Sequence, residues 1–455
     1  MAMAFRRIAS GPVDRGTFER FRASITPAWV DAALALTGTA SIRKRKLPAD
    51  QVFWLVVGMA LFRNLSIDEV VRELGLALPS RNGISEGVAP SAVSQARERL
   101  GADPLRWVFE RCAGLWAHAS ADRLRWRGLG LYGLDGTTVR VPDSDDNRRH
   151  FGPSESGYRG MSGYPLVRLV TLMALRSHLL VSARFGPFCT GEISYASELW
   201  GEVPDDSLTI VDRNFMSAAI LVPLARNGRN RHWLIRARKN LTWRSVMKLG
   251  HGDELVEMAI SQAAHTTDPS LPRGGTWRMR AIHYHRRGFR PQILLTSLLN
   301  ETRFPAAEIV ELYHERWELE LGFDEVKTQM LEREETIRSR KPAGIEQELW
   351  GLLLAYNLVR REMEQVAAEA GVPPKRISFI AALRLIRTTL LGLVFASPGV
   401  IPKRLQQLRE DVGHFVLPER RKARRYPRAV KLKMSNYARK RPKPLARRRR
   451  SAPAI

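Results

Sequence analysis

Cysteine is nearly absent: Cys112 and Cys189 are the whole complement of the 455 residues. With no CxxC pair and no histidine partner at metal-ligand spacing, a disulfide framework and a structural zinc site are both excluded, and a reducing compartment is expected. Long apolar runs are missing too. The longest, Val52 to Phe62, is about half of the roughly 20 residues a bilayer span requires. The opening MAMAFRRIASG holds no apolar core of the secretory kind. A cytoplasmic, nucleoid-associated bacterial protein with no membrane partner is therefore expected. Acidic residues are scarce, 46 against 73 basic ones, for a formal charge of +27. Such an excess attracts a polyanion by counterion release, nucleic acid before any other. A merely sticky basic protein is the competing reading, and the chain length and 44% hydrophobic content argue against it.

What is present divides the chain into four parts. Residues 1–125 read as an all-helical N-terminal domain, because apolar residues recur at helical spacing in ITPAWVDAALALTG, PADQVFWLVVGMALFRN and PSAVSQARERLGADPLRWVFERCAGLW. Pro90-Ser91 makes a helix start. With SIDEVVRELGL ahead of it, this segment reads either as a helix-turn-helix-like unit placing Ser94, Gln95 and Arg97 on DNA, or as an ordinary bundle with one polar face. Residues 126–365 change character. LGLYGLDGTTVRVPD, PLVRLVTLMAL and HLLVSARFGPF read as strands, followed by a helix in ISYASELWGEV, the strand LTIVD, a helix in MSAAILVPLARNG and the strand HWLIRAR. The order β-β-β-α-β-α-β is that of an α/β, ribonuclease-H-like core. A β-rich insertion at 239–300 interrupts it, with ELVEMAI, TWRMRAIHYH and FRPQILLTSLL as its clearest strands, and a long helical stretch then runs from Pro305 to about Leu331. Residues 366–418 form a C-terminal helical region. From Glu419 to Arg450 there are 16 Lys and Arg against one acid. That basic tail, 419–455, is expected to be disordered and to neutralise phosphates, or else to act only as a solubilising tail.

Two acids stand where acids are costly. Asp135 lies in the strand segment GLDGTTV, beside a small Gly136 that would let a phosphate approach. Asp212 closes the strand in TIVDRNF. Carboxylates in short apolar strands are poor core residues. DSDDN at 143–147 supplies rivals to Asp135, so neither acid is decisive alone. The helix segment LYHERWELELGFDEVKTQML is more specific. Tyr313, Arg316, Glu320 and Lys327 fall within a stripe roughly 60° wide on a regular helix. One face thus carries a phenol, a guanidinium, a carboxylate and an ammonium, with Asp324 as the only close rival acid. Cleaving phosphodiesters without a covalent intermediate calls for two hard cations about 4 Å apart, held by carboxylates. The bland alternative is an Arg316–Glu320 pair on a solvated helix, worth about 0.5 kcal/mol or less.

The D-G-T of the first strand, the D-R-x-F after the fourth and the Y-x2-R-x3-E-x6-K helix together resemble the insertion-sequence-four family of DDE transposases. SAVSQARERLG, LAYNLVRREM and RYPRAVKLKMSNYARK resemble that family as well. The resemblance implies metal ligation by Asp135, Asp212 and Glu320, with Mg and, in its place, Mn as the cofactor. It also implies phosphate contacts from Tyr313, Arg316 and Lys327. The implied partners are double-stranded DNA (the element's terminal repeats and the target) and a second copy of the chain in a synaptic homodimer. Cleavage at the element's end and joining of the freed 3′-hydroxyl to target DNA would follow, cut-and-paste in outline, with a hairpin intermediate in some relatives. Two positions depart from the family pattern. Asn214 stands where relatives usually carry Gly, and Gln292 stands where base-flipping relatives carry Trp. Trp243 or Trp277 would then supply a stacking surface, unless both belong to the packing of the insertion. A catalytically inactive DNA-binding repressor and another ribonuclease-H-like nuclease, such as a junction resolvase, are the alternatives.

Overall fold

The computed structural model describes residues 25, 27–41, 47–77, 88–155, 161–286, 290–332, 337–393 and 400–419. The basic tail beyond Glu419 lies outside these.

Among the described residues five N-terminal helices come first: α1 (Pro27–Leu36), α2 (Ala49–Leu61), α3 (Ile67–Glu73), α4 (Pro90–Leu100) and α5 (Asp103–Arg123). The longest apolar run of the sequence is α2, and eleven of its thirteen residues are buried. A helix apolar all round belongs in the centre of a packed core, and that is where α2 sits. Among the described residues no helix is long and apolar enough to cross a membrane. Ser66 starts α3 with a reciprocal capping box to Glu69, and Pro90 occupies the first turn of α4, where its missing N–H costs nothing.

The α/β core follows as β1 (Gly130–Arg140), α6 (Asp145–Phe151), β2 (Pro153–Glu155), β3 (Met161–Ala174), β4 (Leu180–Pro187), α7 (Glu192–Ser197), β5 (Ser207–Val211), α8 (Ala218–Arg226) and β6 (Arg231–Arg236). β4 pairs antiparallel with β3, β3 antiparallel with β1, β1 parallel with β5, and β5 parallel with β6. This is the mixed sheet expected of a ribonuclease-H-like core. The insertion contributes β7 (Arg244–Gly250), β8 (Asp253–Ala259), the short α9 (Gln262–Thr267), β9 (Thr276–Tyr284) and β10 (Gln292–Thr296). It is no separate layer. β10 pairs with β6, so β10, β9, β8 and β7 continue the core sheet to ten strands.

The stretch expected as one helix after the insertion is composite: α10 (Ala306–Tyr313), a 3₁₀ turn (His314–Arg316), α11 (Trp317–Asp324) and a π-helical turn (Glu325–Met330). Then α12 (Pro342–Glu369), α13 (Phe379–Leu393) and α14 (Ile401–Gly413) complete the described chain. Every residue of α12 from Gln347 to Arg360 is buried. It lies between the N-terminal helices and the sheet. Gly351 permits this on one side, because a Cβ there would stand 2.6 Å from Val56 of α2. On the other side the Asn357 amide exchanges two 2.9 Å hydrogen bonds with the backbone of Leu180 in β4.

That central helix also accounts for one of the three α4 residues singled out in the sequence. Arg97 turns inward, donating to Gln347 (3.0 Å), Ser339 (3.1 Å) and Glu348 (3.1 Å). Buried Glu348 needs that cation, so Arg97 is a strut between the N-terminal helices and α12 rather than a DNA contact. Ser94 and Gln95 remain exposed.

Another polar group on α12 carries a pH dependence. Arg360, fully buried, pairs with the carboxylate of Glu325. Burial opposes ionisation of Glu325, but the Arg360 guanidinium and His178 outweigh it and hold its pKa at about 2, against an ordinary 4.5. The stabilisation is therefore present in full above pH 4.5 and is lost as pH falls toward 2. Urea midpoints measured between pH 6 and 3 should fall less steeply for Glu325→Gln than for the parent. Parallel curves would assign the acid sensitivity to other groups.

Candidate active site

The parallel register Leu134↔Val211 sets Asp135 of β1 beside Asp212, the residue that ends β5. Side chains alternate along a strand, so both carboxylates leave the sheet on the same face. Gly133, two residues before Asp135 and on that same face, lets α11 come down directly onto β1, since a Cβ there would meet Leu319 at 2.7 Å. Glu320, next along, is thereby brought over the sheet. The Arg316 guanidinium lies between these acids, 3.6 Å from Asp135 and 2.8 Å from Glu320.

Burial is the main force on Asp135, raising its pKa to about 7 together with the charges of Glu192 and Asp212, while the Gly136 N–H and Arg316 work the other way. Burial likewise lifts the Tyr313 phenol to about 12, so it stays a hydrogen-bond donor at neutral pH. For Arg316 burial is unfavourable, but the bond to Glu320 and the proximity of Tyr313 and Asp135 keep it charged.

Beside the acids opens a cleft of about 460 Å³. Asp212 stands at its wall with four arginines, Arg213, Arg236, Arg286 and Arg290, besides Arg316. Tyr284, Tyr313, His314 and Trp317 give it aromatic faces, and Gln292 completes it. Trp317 is 46% exposed. The rival acids are otherwise engaged. Asp143 and Asp146 pair with Arg148 and Arg149 around the start of α6, and Asp324 accepts a 2.7 Å bond from Thr328.

Of the six expected site residues, five therefore gather around Arg316 and the cleft. Lys327, the third residue of the π turn and half-buried, is not among the residues that line the cleft. One expectation is corrected at Gly136, and the positions of Asn214 and the two insertion tryptophans are explained. The space beside Gly136 is filled by the Glu192 carboxylate, 2.6 Å from where a Cβ would stand, and is not open to a phosphate. Asn214 sits in a 3₁₀ turn and is absent from the positive-φ residues, so the glycine usual there is not required. Trp277 packs on Trp233 at 5.5 Å and Trp243 meets His283 edge-on, which places both in the packing of the insertion. Trp317 and Tyr284 were missed in the sequence. The signal available was Trp317 directly after Arg316.

As they stand, no three Asp, Glu, His or Cys side chains among the described residues converge closely enough to hold an ion. The donor set nonetheless fits a hard divalent cation: all ligands are carboxylate oxygens, and a guanidinium already supplies positive charge between two of them.

Residues 126–358 match the family model for the transposase DDE domain, and residues 15–110 match that for the insertion element 4 transposase N-terminal region. The chain is 38% identical over 414 residues to the transposase InsG for insertion sequence element IS4 of Escherichia coli (strain K12), covering 91% of this chain and 92% of that one. The chain belongs to the IS4 family of DDE transposases. A second relative of this transposase, the putative transposase InsZ of the same organism, is 36% identical over 63% of this chain and 89% of its own. A looser likeness, at 13% identity and a TM-score of 0.40 over 91% of this chain and 87% of the other, is to a piggyBac transposase synaptic complex with hairpin DNA. Transposase domains of the DDE type use divalent metal ions.

Proposed function

We propose that this transposase binds the ends of its own element as a homodimer, cleaves them, and joins the 3′-hydroxyl ends to target DNA. The single observation that supports the assignment is the pairing of Arg316 with both Asp135 and Glu320 at the edge of an arginine-lined cleft whose wall holds Asp212. Two Mg ions on the three carboxylates, with Mn able to replace them, would supply charge stabilisation and an activated nucleophile when bound. The protein's own groups do the rest. Arg316, which pairs with Asp135 and Glu320 at the edge of the cleft, is the guanidinium placed to meet a phosphate there. Tyr313, protonated at working pH, donates to a phosphate oxygen beside it. Arg213, Arg236, Arg286 and Arg290 grip the backbone entering the cleft. Lys327 reaches the flanking phosphates from outside the cleft. Trp317 with Tyr284 offers the stacking surface for an extrahelical base, which a hairpin pathway requires. Ser94 and Gln95, exposed on α4, are the residues available there for duplex contacts.

The test is cleavage of a labelled duplex carrying the element's end, in Mg and in Mn, by the parent and by Glu320→Ala, with gel shifts alongside. A parent that nicks the terminus and a mutant that binds without cutting support the reading. If both bind and neither cuts in either metal, the protein is a DNA-binding repressor.

A further inference from the structure

On either side of Glu320, its helix is tied down by charged groups that the cleft does not use. Glu318, two residues before it, is 4% exposed and lies 3.0 Å from His178 Nε2. Lys375 approaches the other Glu318 oxygen at 3.8 Å. Glu325, five residues after Glu320, accepts from Tyr356 Oη at 2.9 Å and from Arg360 Nε at 3.0 Å. His178 joins the two anchors: Arg360 Nη2 stands 2.6 Å from its Nδ1, and Glu325 lies 3.4 Å from that same nitrogen. Between the anchors, Gly322 lies against Met173 of β3 and the Tyr356 hydroxyl, 2.4 and 3.4 Å from where its Cβ would be.

This arrangement is a costly way to hold a helix. Two carboxylates and a guanidinium are taken out of water, and His178 is held at φ 62°, in the left-handed region. Apolar side chains of similar volume would stabilise the packing at least as well. What charges add is a unique register, since each has few places where it can be satisfied. The register matters at this point because α11 gives way to a π turn at Glu325 itself, and such turns are frequent at functional sites.

We propose that Tyr356, Arg360 and His178 are positioning residues for the Glu320 carboxylate: by holding Glu318 and Glu325 they stop α11 from sliding or turning on β1, and they maintain the π turn that sets Lys327. The proposal rests on Glu320 being a metal ligand.

The experiment uses the full-length protein and the isosteric Tyr356→Phe, which removes one donor to Glu325 and keeps the ring, with Glu320→Ala beside it. Manganese binding without DNA, read from the electron paramagnetic resonance of free Mn, is compared with the Mn dependence of end cleavage, with gel shifts and with the melting temperature. Tyr356→Phe should raise the half-saturating Mn concentration about tenfold in both assays, leave the gel shift unchanged and move the melting temperature by only a few degrees. A lowered melting temperature with unchanged Mn binding and cleavage would reduce the network to a structural cross-link and overturn the proposal. A Glu320→Ala protein that cuts like the parent would also remove it, through the failure of the ligand assignment, and the two failures are told apart by that control.

Discussion

Asp135→Asn should lower end cleavage on the order of 10³-fold or more, about 4 kcal/mol of transition-state stabilisation, while leaving the duplex bound. The substitution keeps the shape of the side chain and, through the amide oxygen, the 2.9 Å bond that Asp135 accepts from the Gly136 N–H. What it removes is one negative charge. In the metal-free protein that charge is disfavoured, since burial and the neighbouring acids push the Asp135 pKa to about 7. Fold stability should therefore hold or rise slightly. Affinity for DNA should hold or rise as well, because the cleft loses a charge that repels phosphate. Cleavage should nevertheless fail, since a divalent cation shared by Asp135 and its neighbours cannot be held by a neutral amide. The combination is specific: a folded protein with unimpaired gel shift and no nicking in Mg. Cleavage within tenfold of the parent would mean that Asp135 is a structural acid satisfied by Arg316, and Glu192 would become the acid to test next.

The strands of the core were readable because each is a short apolar run closed by a turn, and Asp212 stood out because it ends one of them. The pairing of β10 with β6 was not readable. It joins residues about 60 positions apart in the chain and depends on what each edge leaves open, which no local pattern encodes. The helix carrying Glu320 shows the same limit. WELELGFDEVKTQM has the composition of a regular helix, so four residues could be placed on one stripe. The π turn within it is imposed from outside, by buried partners of Glu325 on α12 and at the β3–β4 turn. The Arg316–Glu320 bond falls before that turn, and Lys327 lies within it. Arg97 was ambiguous for a related reason. Charge alone does not reveal whether an arginine faces solvent or a buried acid, and here the acid, Glu348, lies 251 residues away.

Removing Arg280 should cost about 3–5 kcal/mol of folding stability, far more than the loss of any surface ion pair here. Arg280 sits on β9 with no exposed surface. It holds Asp253 of β8 through two bonds of 2.7 and 2.5 Å and donates to the Phe304 carbonyl at 2.6 Å. One side chain thus ties two insertion strands to the segment that enters α10, on which Tyr313 rides. With Arg280→Met, Asp253 is left as a buried carboxylate without its cation, and the Phe304 carbonyl loses its donor. By contrast Arg149–Asp146, with side chains 78% and 50% exposed, should be worth under about 1 kcal/mol. The same argument predicts a partial rescue. Arg280→Met combined with Asp253→Leu removes both charges together and should recover a large part of the loss, because the main penalty lies in the unpaired acid rather than in the missing attraction. Urea midpoints for the parent, both single variants and the double variant measure this directly. An Arg280→Met variant as stable as the parent would show that Asp253 does not depend on its cation, and the link from the insertion to α10 would have to be carried by the β9–β10 and β6–β10 ladders alone.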